Sequence, residues 1–167
     1  MRKAGFRVSR RRVHEDNLLF DTPDRALLAA GAALRLRRSG RMAILTYKGP
    51  AVVARHKSRL ELETTVASAS TMESVLFALG FDIVFRYAKY RTEYRRRECS
   101  VQATLDETPV GVFVELEGSP SVIDRTAERL GFDVISYITD SYADLYRASH
   151  RSVEGRAAAT GSCKVPH

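Results

Sequence analysis

Charged and apolar residues alternate along three early runs, Leu34-Arg35-Leu36-Arg37, Ile44-Leu45-Thr46-Tyr47-Lys48 and Arg59-Leu60-Glu61-Leu62-Glu63. Val112-Phe113-Val114-Glu115-Leu116-Glu117 repeats the pattern farther down. Successive side chains of a strand point to opposite faces, so a period of two predicts strands. Arg35 and Arg37 then share one face, and Arg59, Glu61 and Glu63 share another. Strands are expected over residues 11–20, 33–38, 42–48, 58–66, 83–95, 99–106 and 111–117. Ser39-Gly40 reads as a two-residue hairpin loop, 51–57 as a basic loop after Gly49-Pro50, and Pro109-Val110-Gly111 as a turn.

Elsewhere the period lengthens. Met72, Val75, Leu76 and Leu79 fall at helical spacing, Ser70 and Glu73 fit a capping box, and Gly80 stops the run. Ser121 with Asp124 opens a second helix that carries Ile123, Ala127 and Leu130 and ends at Gly131. After the turn Asp21-Thr22-Pro23-Asp24, residues 25–30 make a short helical turn that Gly31 ends, and 141–147 form a last helix. Residues 148–167 are small, polar and aperiodic and are expected to be disordered, which leaves 1–147 as the folded domain. A weak repeat runs through this order. Leu60-Glu61-Leu62-Glu63 leads through a helix to Gly80-Phe81-Asp82, and Val114-Glu115-Leu116-Glu117 leads through one to Gly131-Phe132-Asp133. Gly5-Phe6 resembles the end of a third unit, whose acidic strand the spacing places before Met1.

Composition narrows the class. A chain of 167 residues with 44% hydrophobic and 28% charged residues fits one soluble globular domain. No apolar run reaches the length of a membrane span. Cys99 and Cys163 lie far apart without a CxxC spacing, so a reduced, cytoplasmic setting is expected. The four histidines show no zinc-ligand spacing, and no serine or histidine forms a nucleophile–base arrangement. The net charge of +7 is unevenly spread: residues 1–60 hold fifteen Lys and Arg against four Asp and Glu, and the remainder reverses the balance. An anionic partner is implied.

The strand-borne charges are candidates for a site. The cations are Arg35, Arg37, Lys48, Arg59, Lys89 and Arg91; the anions are Glu61, Glu63, Asp106, Glu115 and Glu117. If the strands close into a barrel, these groups converge on one interior. Carboxylate oxygens suit Mg²⁺ or Mn²⁺, and Arg forks match phosphate oxygens two at a time. The competing reading is amphipathic strands whose charges face solvent and pair across neighbours.

FDTPDRALLAAGAALRLRR, ILTYKGP, KSRLELE, FALGF, YAKYR, VQATLDETPVGVFVELEG, RLGF and SYADLY together resemble the CYTH superfamily, the triphosphate tunnel metalloenzymes, over about residues 15–146. That superfamily includes class IV adenylyl cyclases, thiamine triphosphatases and tripolyphosphatases. The resemblance implies an α+β fold, an eight-stranded antiparallel β-barrel tunnel with flanking helices. It makes Arg35, Arg37, Lys48, Arg59, Lys89 and Arg91 phosphate-binding, Asp106, Glu115 and Glu117 metal ligands for Mg²⁺ or Mn²⁺, and Glu61 and Glu63 the acidic, catalytic side of the tunnel. The family's first strand, ExExK, has no counterpart here: either it lies upstream of Met1 or the protein has lost it, and a lost strand would leave an open barrel edge and fewer metal ligands. The expected function is divalent-metal-dependent triphosphate hydrolysis. The alternatives are a class IV-type cyclase that forms cAMP from ATP and a non-catalytic polyphosphate or nucleotide binder. The expected partner is a triphosphate-bearing small molecule, with a homodimer allowed for. A basic RNA-binding barrel is disfavoured because the aromatics form no stacking platform among the cations.

Overall fold

The computed structural model describes residues 1–53, 56–97 and 100–149. Seven strands make one antiparallel sheet: β1 (Arg7–Asp21), β2 (Ala33–Ser39), β3 (Met42–Lys48), β6 (Glu61–Val66), β7 (Asp82–Arg95), β8 (Gln102–Thr108) and β9 (Gly111–Glu117). The short strands β4 (Val52–Val53) and β5 (Lys57–Ser58) form a separate ribbon inside the expected basic loop. The order across the sheet is β6-β3-β2-β1-β7-β8-β9. The expected eight-stranded barrel is thus a seven-stranded open sheet with β6 and β9 at its edges. Every neighbouring pair is antiparallel, so the two edge strands run in the same direction. One further strand, antiparallel to both, would close the sheet.

Apolar positions alternate onto the outer face, where helices cover them. Leu18, Phe20 and Leu36 pack against Leu76 of α2 (Ala69–Ala78). Phe6, Val101, Ala103 and Leu116 pack with Val122, Ile123 and Leu130 of α3 (Pro120–Leu130). The inner face carries the charged residues of the sheet, interspersed with Leu19, Ile44, Phe85, Tyr87 and Phe113. The other helices are short α1 (Ala26–Ala29) and α4, residues 142–149. Among the described residues no helix is long and apolar enough to cross a membrane.

Several local expectations shift. The hairpin loop is Gly40-Arg41, because Ser39 pairs with Met42, and Gly40 takes the left-handed φ of 62° that the tight turn requires. Ser68 caps α2, accepting the Thr71 N–H at 3.2 Å, whereas the expected capping partner Glu73 is drawn off by Arg38 at 2.9 Å. Ser119, rather than Ser121, precedes α3, whose first residue is Pro120. Asp21 supplies the N-terminal acceptor of α1, taking N–H bonds from Thr22, Leu27 and Leu28 at 2.8–3.0 Å. Ala148 and Ser149 continue α4, and the rest of the expected tail lies outside the described residues, as do both cysteines.

Candidate active site

The sheet curls so that both edges face a single cavity of about 1710 Å³. Arg35, Arg37, Lys48, Arg59, Glu61, Glu63, Lys89, Arg91, Glu115 and Glu117 all line it; of the candidates named from the sequence, only Asp106 does not. Convergence follows from register. Thr46 faces Arg35 on one side and Glu63 on the other, Lys48 faces Glu61, and Arg91 faces Asp106, each pair on the inner face.

The charges form three groups with different degrees of commitment. In the first, fully buried Asp106 accepts from Lys89 Nζ at 2.6 Å, Arg91 Nε at 2.7 Å, Arg91 Nη2 at 2.5 Å and the Tyr142 hydroxyl of α4 at 2.7 Å. Burial opposes the charge on Asp106, but Arg91 and Lys89 outweigh it and hold its pKa down at about 2. Arg91 also donates to Glu115. Burial, with Glu115 and Asp106, pushes the Tyr142 phenol well up, so it stays a protonated donor. Lys89 sits 4.5 Å from the centre of the Tyr142 ring. With four donor contacts on two oxygens, Asp106 is engaged as an anchor for the cations and for α4.

In the second group Lys48 donates to both oxygens of Glu61, at 2.7 and 2.8 Å, and Arg59 Nε donates to one of them at 3.0 Å. Burial, helped by Arg35 and Arg59, pulls Lys48 down to about 8 against the opposing pull of Glu61. Burial also opposes the charge on Glu61, yet Lys48 and Arg59 win and lower its pKa.

The third group is loosely held. Arg35 donates to Thr46 Oγ1 at 3.3 Å, and that hydroxyl donates to Glu63 at 3.0 Å. Arg37 lies 3.6 Å from Glu63 and 3.7 Å from Glu15, beyond hydrogen-bonding range of both. The buried Nε atoms of Arg35 and Arg37 have no hydrogen-bond partner. Burial and the charge of Arg35 lower the Arg37 pKa. These two guanidiniums have donors to spare, which suits them to an incoming polyanion.

Sequence reasoning missed Glu15, Asn17 and Thr46, all fully buried on the inner face. The signal was present in His14-Glu15-Asp16-Asn17-Leu18-Leu19-Phe20, where Glu15 and Asn17 alternate with residues of the outer face. Among the described residues no three His, Cys, Asp or Glu side chains converge as a ready-made metal cage. The carboxylates of Glu115 and Glu117 are nevertheless of the right kind. Mg²⁺ is commonly held by one or two carboxylates together with substrate phosphates.

The pattern that defines the CYTH domain matches residues 7–142. The chain belongs to the CYTH family. A Methanocaldococcus jannaschii protein provisionally named an adenylate cyclase is 28% identical over 159 residues, 93% of this chain and 89% of that protein. A Vibrio parahaemolyticus structure, also provisionally an adenylate cyclase, superposes with a TM-score of 0.73 at 19% identity, covering 87% of each chain. A Hippeastrum protein, described as a provisional adenylyl cyclase with a dominant triphosphatase activity, superposes with a TM-score of 0.67 at 20% identity and 85% coverage of each. The CYTH tunnel fold is therefore that of this chain, with the sheet open between β6 and β9.

Proposed function

We propose that the cavity binds a triphosphate and, with Mg²⁺ or Mn²⁺, hydrolyses it. The supporting observation is a single cavity in which Arg35 and Arg37 hold unspent, partly desolvated donors between walls of further cations and carboxylates. Arg35 and Arg37 receive the phosphoryl oxygens first, and Lys48, Arg59, Lys89 and Arg91 exchange carboxylate partners for phosphate as the ligand fills the tunnel. Glu115 and Glu117 hold the metal, which supplies Lewis-acid polarisation of the phosphate. Asp106 would join them only by giving up a bond to Lys89, Arg91 or Tyr142. Water adds to the terminal phosphorus as the bridging P–O bond breaks and diphosphate leaves. Glu61 and Glu63 orient that water and take its proton, and the guanidiniums stabilise the charge on the leaving group.

The name of the Methanocaldococcus relative favours a second outcome in the same cavity, attack of the ribose 3′-hydroxyl on the α-phosphorus of ATP with loss of pyrophosphate. The activity described for the Hippeastrum protein favours hydrolysis. The small-molecule partner and the reducing cytoplasmic setting belong to the same reading, and sizing in solution tests for a homodimer. The deciding experiment measures phosphate, pyrophosphate and cAMP release from tripolyphosphate, thiamine triphosphate and ATP, with Mg²⁺, Mn²⁺ or EDTA. Chelator-sensitive phosphate release supports hydrolysis, and cAMP with pyrophosphate from ATP supports cyclisation. Tripolyphosphate binding without turnover would leave a non-catalytic binder.

A further inference from the structure

Glu15 sits on β1 beneath the cavity, 1% exposed, opposite Lys89 on β7 and Ser39 on β2. Its Oε1 lies 3.7 Å from Arg37 and its Oε2 3.9 Å from Arg91, and its one hydrogen bond is a long one, 3.4 Å from the Ser39 hydroxyl. Oε2 has no hydrogen-bond partner. A carboxylate taken out of water is costly unless it is paired and hydrogen-bonded. Asp106, two strands away on β8, meets that condition with bonds of 2.5–2.7 Å to the same Arg91 and to Lys89. Glu15 does not. It is close enough to two guanidiniums to offset their charge, yet too far to take up their N–H groups. Ser39 is itself held in place by an Arg10 N–H at 3.1 Å, and Arg10 pairs with Glu93 at 3.3 Å, so Glu15 faces a supported arrangement rather than a loose side chain.

We propose that Glu15 is a built-in counter-anion: it balances Arg37 and Arg91 while the tunnel is empty and competes with phosphate for them when ligand arrives. Glu15 thereby sets how much anionic charge a ligand needs in order to bind. It acts through the two arginines, as a positioning residue, and the inference rests on the triphosphate reading above. Two consequences have opposite signs. Without the Glu15 charge Arg37 loses its buried carboxylate neighbour and Arg91 keeps only Asp106 and Glu115, so the ligand-free cavity carries more unbalanced positive charge and loses stability. The same change removes a competitor, so phosphate binds more tightly.

Titration calorimetry with tripolyphosphate, alongside thermal melting, tests this on the wild-type chain, Glu15→Gln and Glu15→Asp. Glu15→Gln keeps the shape and removes the charge. It is expected to melt below the wild type without ligand and to bind tripolyphosphate about fivefold more tightly or better, the scale of a typical coupling between sites. Glu15→Asp, which keeps the charge, should stay within about twofold of the wild type on that scale. Weaker or unchanged binding by Glu15→Gln would overturn the inference and leave the triphosphate reading standing. No binding by the wild type would overturn both. If Glu15→Gln is unfolded alone, tripolyphosphate must restore its fold by supplying the missing anion, and failure to do so counts against the proposal.

Discussion

Lys48 carries a titration that ligand binding should expose. Its folded pKa of about 8 lies below the ordinary lysine value because burial and the neighbouring Arg35 and Arg59 disfavour the charge. Below about pH 8 the ammonium is present and available to phosphate; above it the neutral amine is not. A bound polyanion favours the ammonium, so tripolyphosphate binding near pH 8 should take up a proton. Calorimetry in buffers of different ionisation enthalpy measures this uptake, which Lys48→Met should abolish. An uptake of the same size in both chains would remove Lys48 from the phosphate site. The sign for Asp106 is the reverse. Its depressed pKa contributes stability that is present above the unfolded carboxylate value of about 3.9 and is lost as pH falls towards about 2. Asp106→Asn leaves Lys89 and Arg91 short of their buried partner and should cost about 3–5 kcal/mol, read from denaturant midpoints. A loss below about 1 kcal/mol would mean that water or other carboxylates satisfy those cations.

At the scale of elements, caps and pairings separate what the sequence makes legible from what it does not. Ser70 and Glu73 match a capping box by spacing alone, but Ser68 has the extended backbone a cap requires, and Glu73 finds Arg38 on β2. That competition is invisible in sequence because Arg38 is thirty-five residues away. Ser68→Ala should therefore cost about 1 kcal/mol of stability and Ser70→Ala a smaller fraction, measured by urea unfolding. The reverse order would restore the sequence-based cap. Inner-face charges were legible for a different reason. Arg35 with Arg37, and Glu115 with Glu117, stand two apart in strands whose intervening residues are apolar, so the period alone assigns their face. Glu15 and Asn17 escaped because Leu18 and Leu19 adjoin each other and blur the alternation. Which carboxylate meets which cation depends on cross-strand register, which joins residues far apart in the chain and is not written in any one strand.

For the whole molecule, the open seam makes ligand binding a matter of architecture as well as charge. Lys48 pairs with Glu61 on the β6 side, and Arg91 with Glu115 on the β9 side, yet among the described residues β6 hydrogen-bonds only to β3 and β9 only to β8. Edge strands present backbone groups without a ladder partner, so they open at lower free energy than the central β1–β7 pair. A triphosphate with its divalent metal would draw cations and carboxylates from both edges onto one ligand. It would tie β6 to β9 through side chains where no backbone ladder does so. Tripolyphosphate with Mg²⁺ at about one hundred times its dissociation constant should add about 2.7 kcal/mol to global stability. Hydrogen exchange should slow most at β6 and β9 and least at the centre of β1 and β7, where protection is already near the global limit. EDTA should reverse the part of this effect that depends on metal. Slowing spread evenly over the sheet would show that ligand stabilises the domain without bridging its edges, and slowing confined to β2 and β3 would place the phosphates on Arg35 and Arg37 alone.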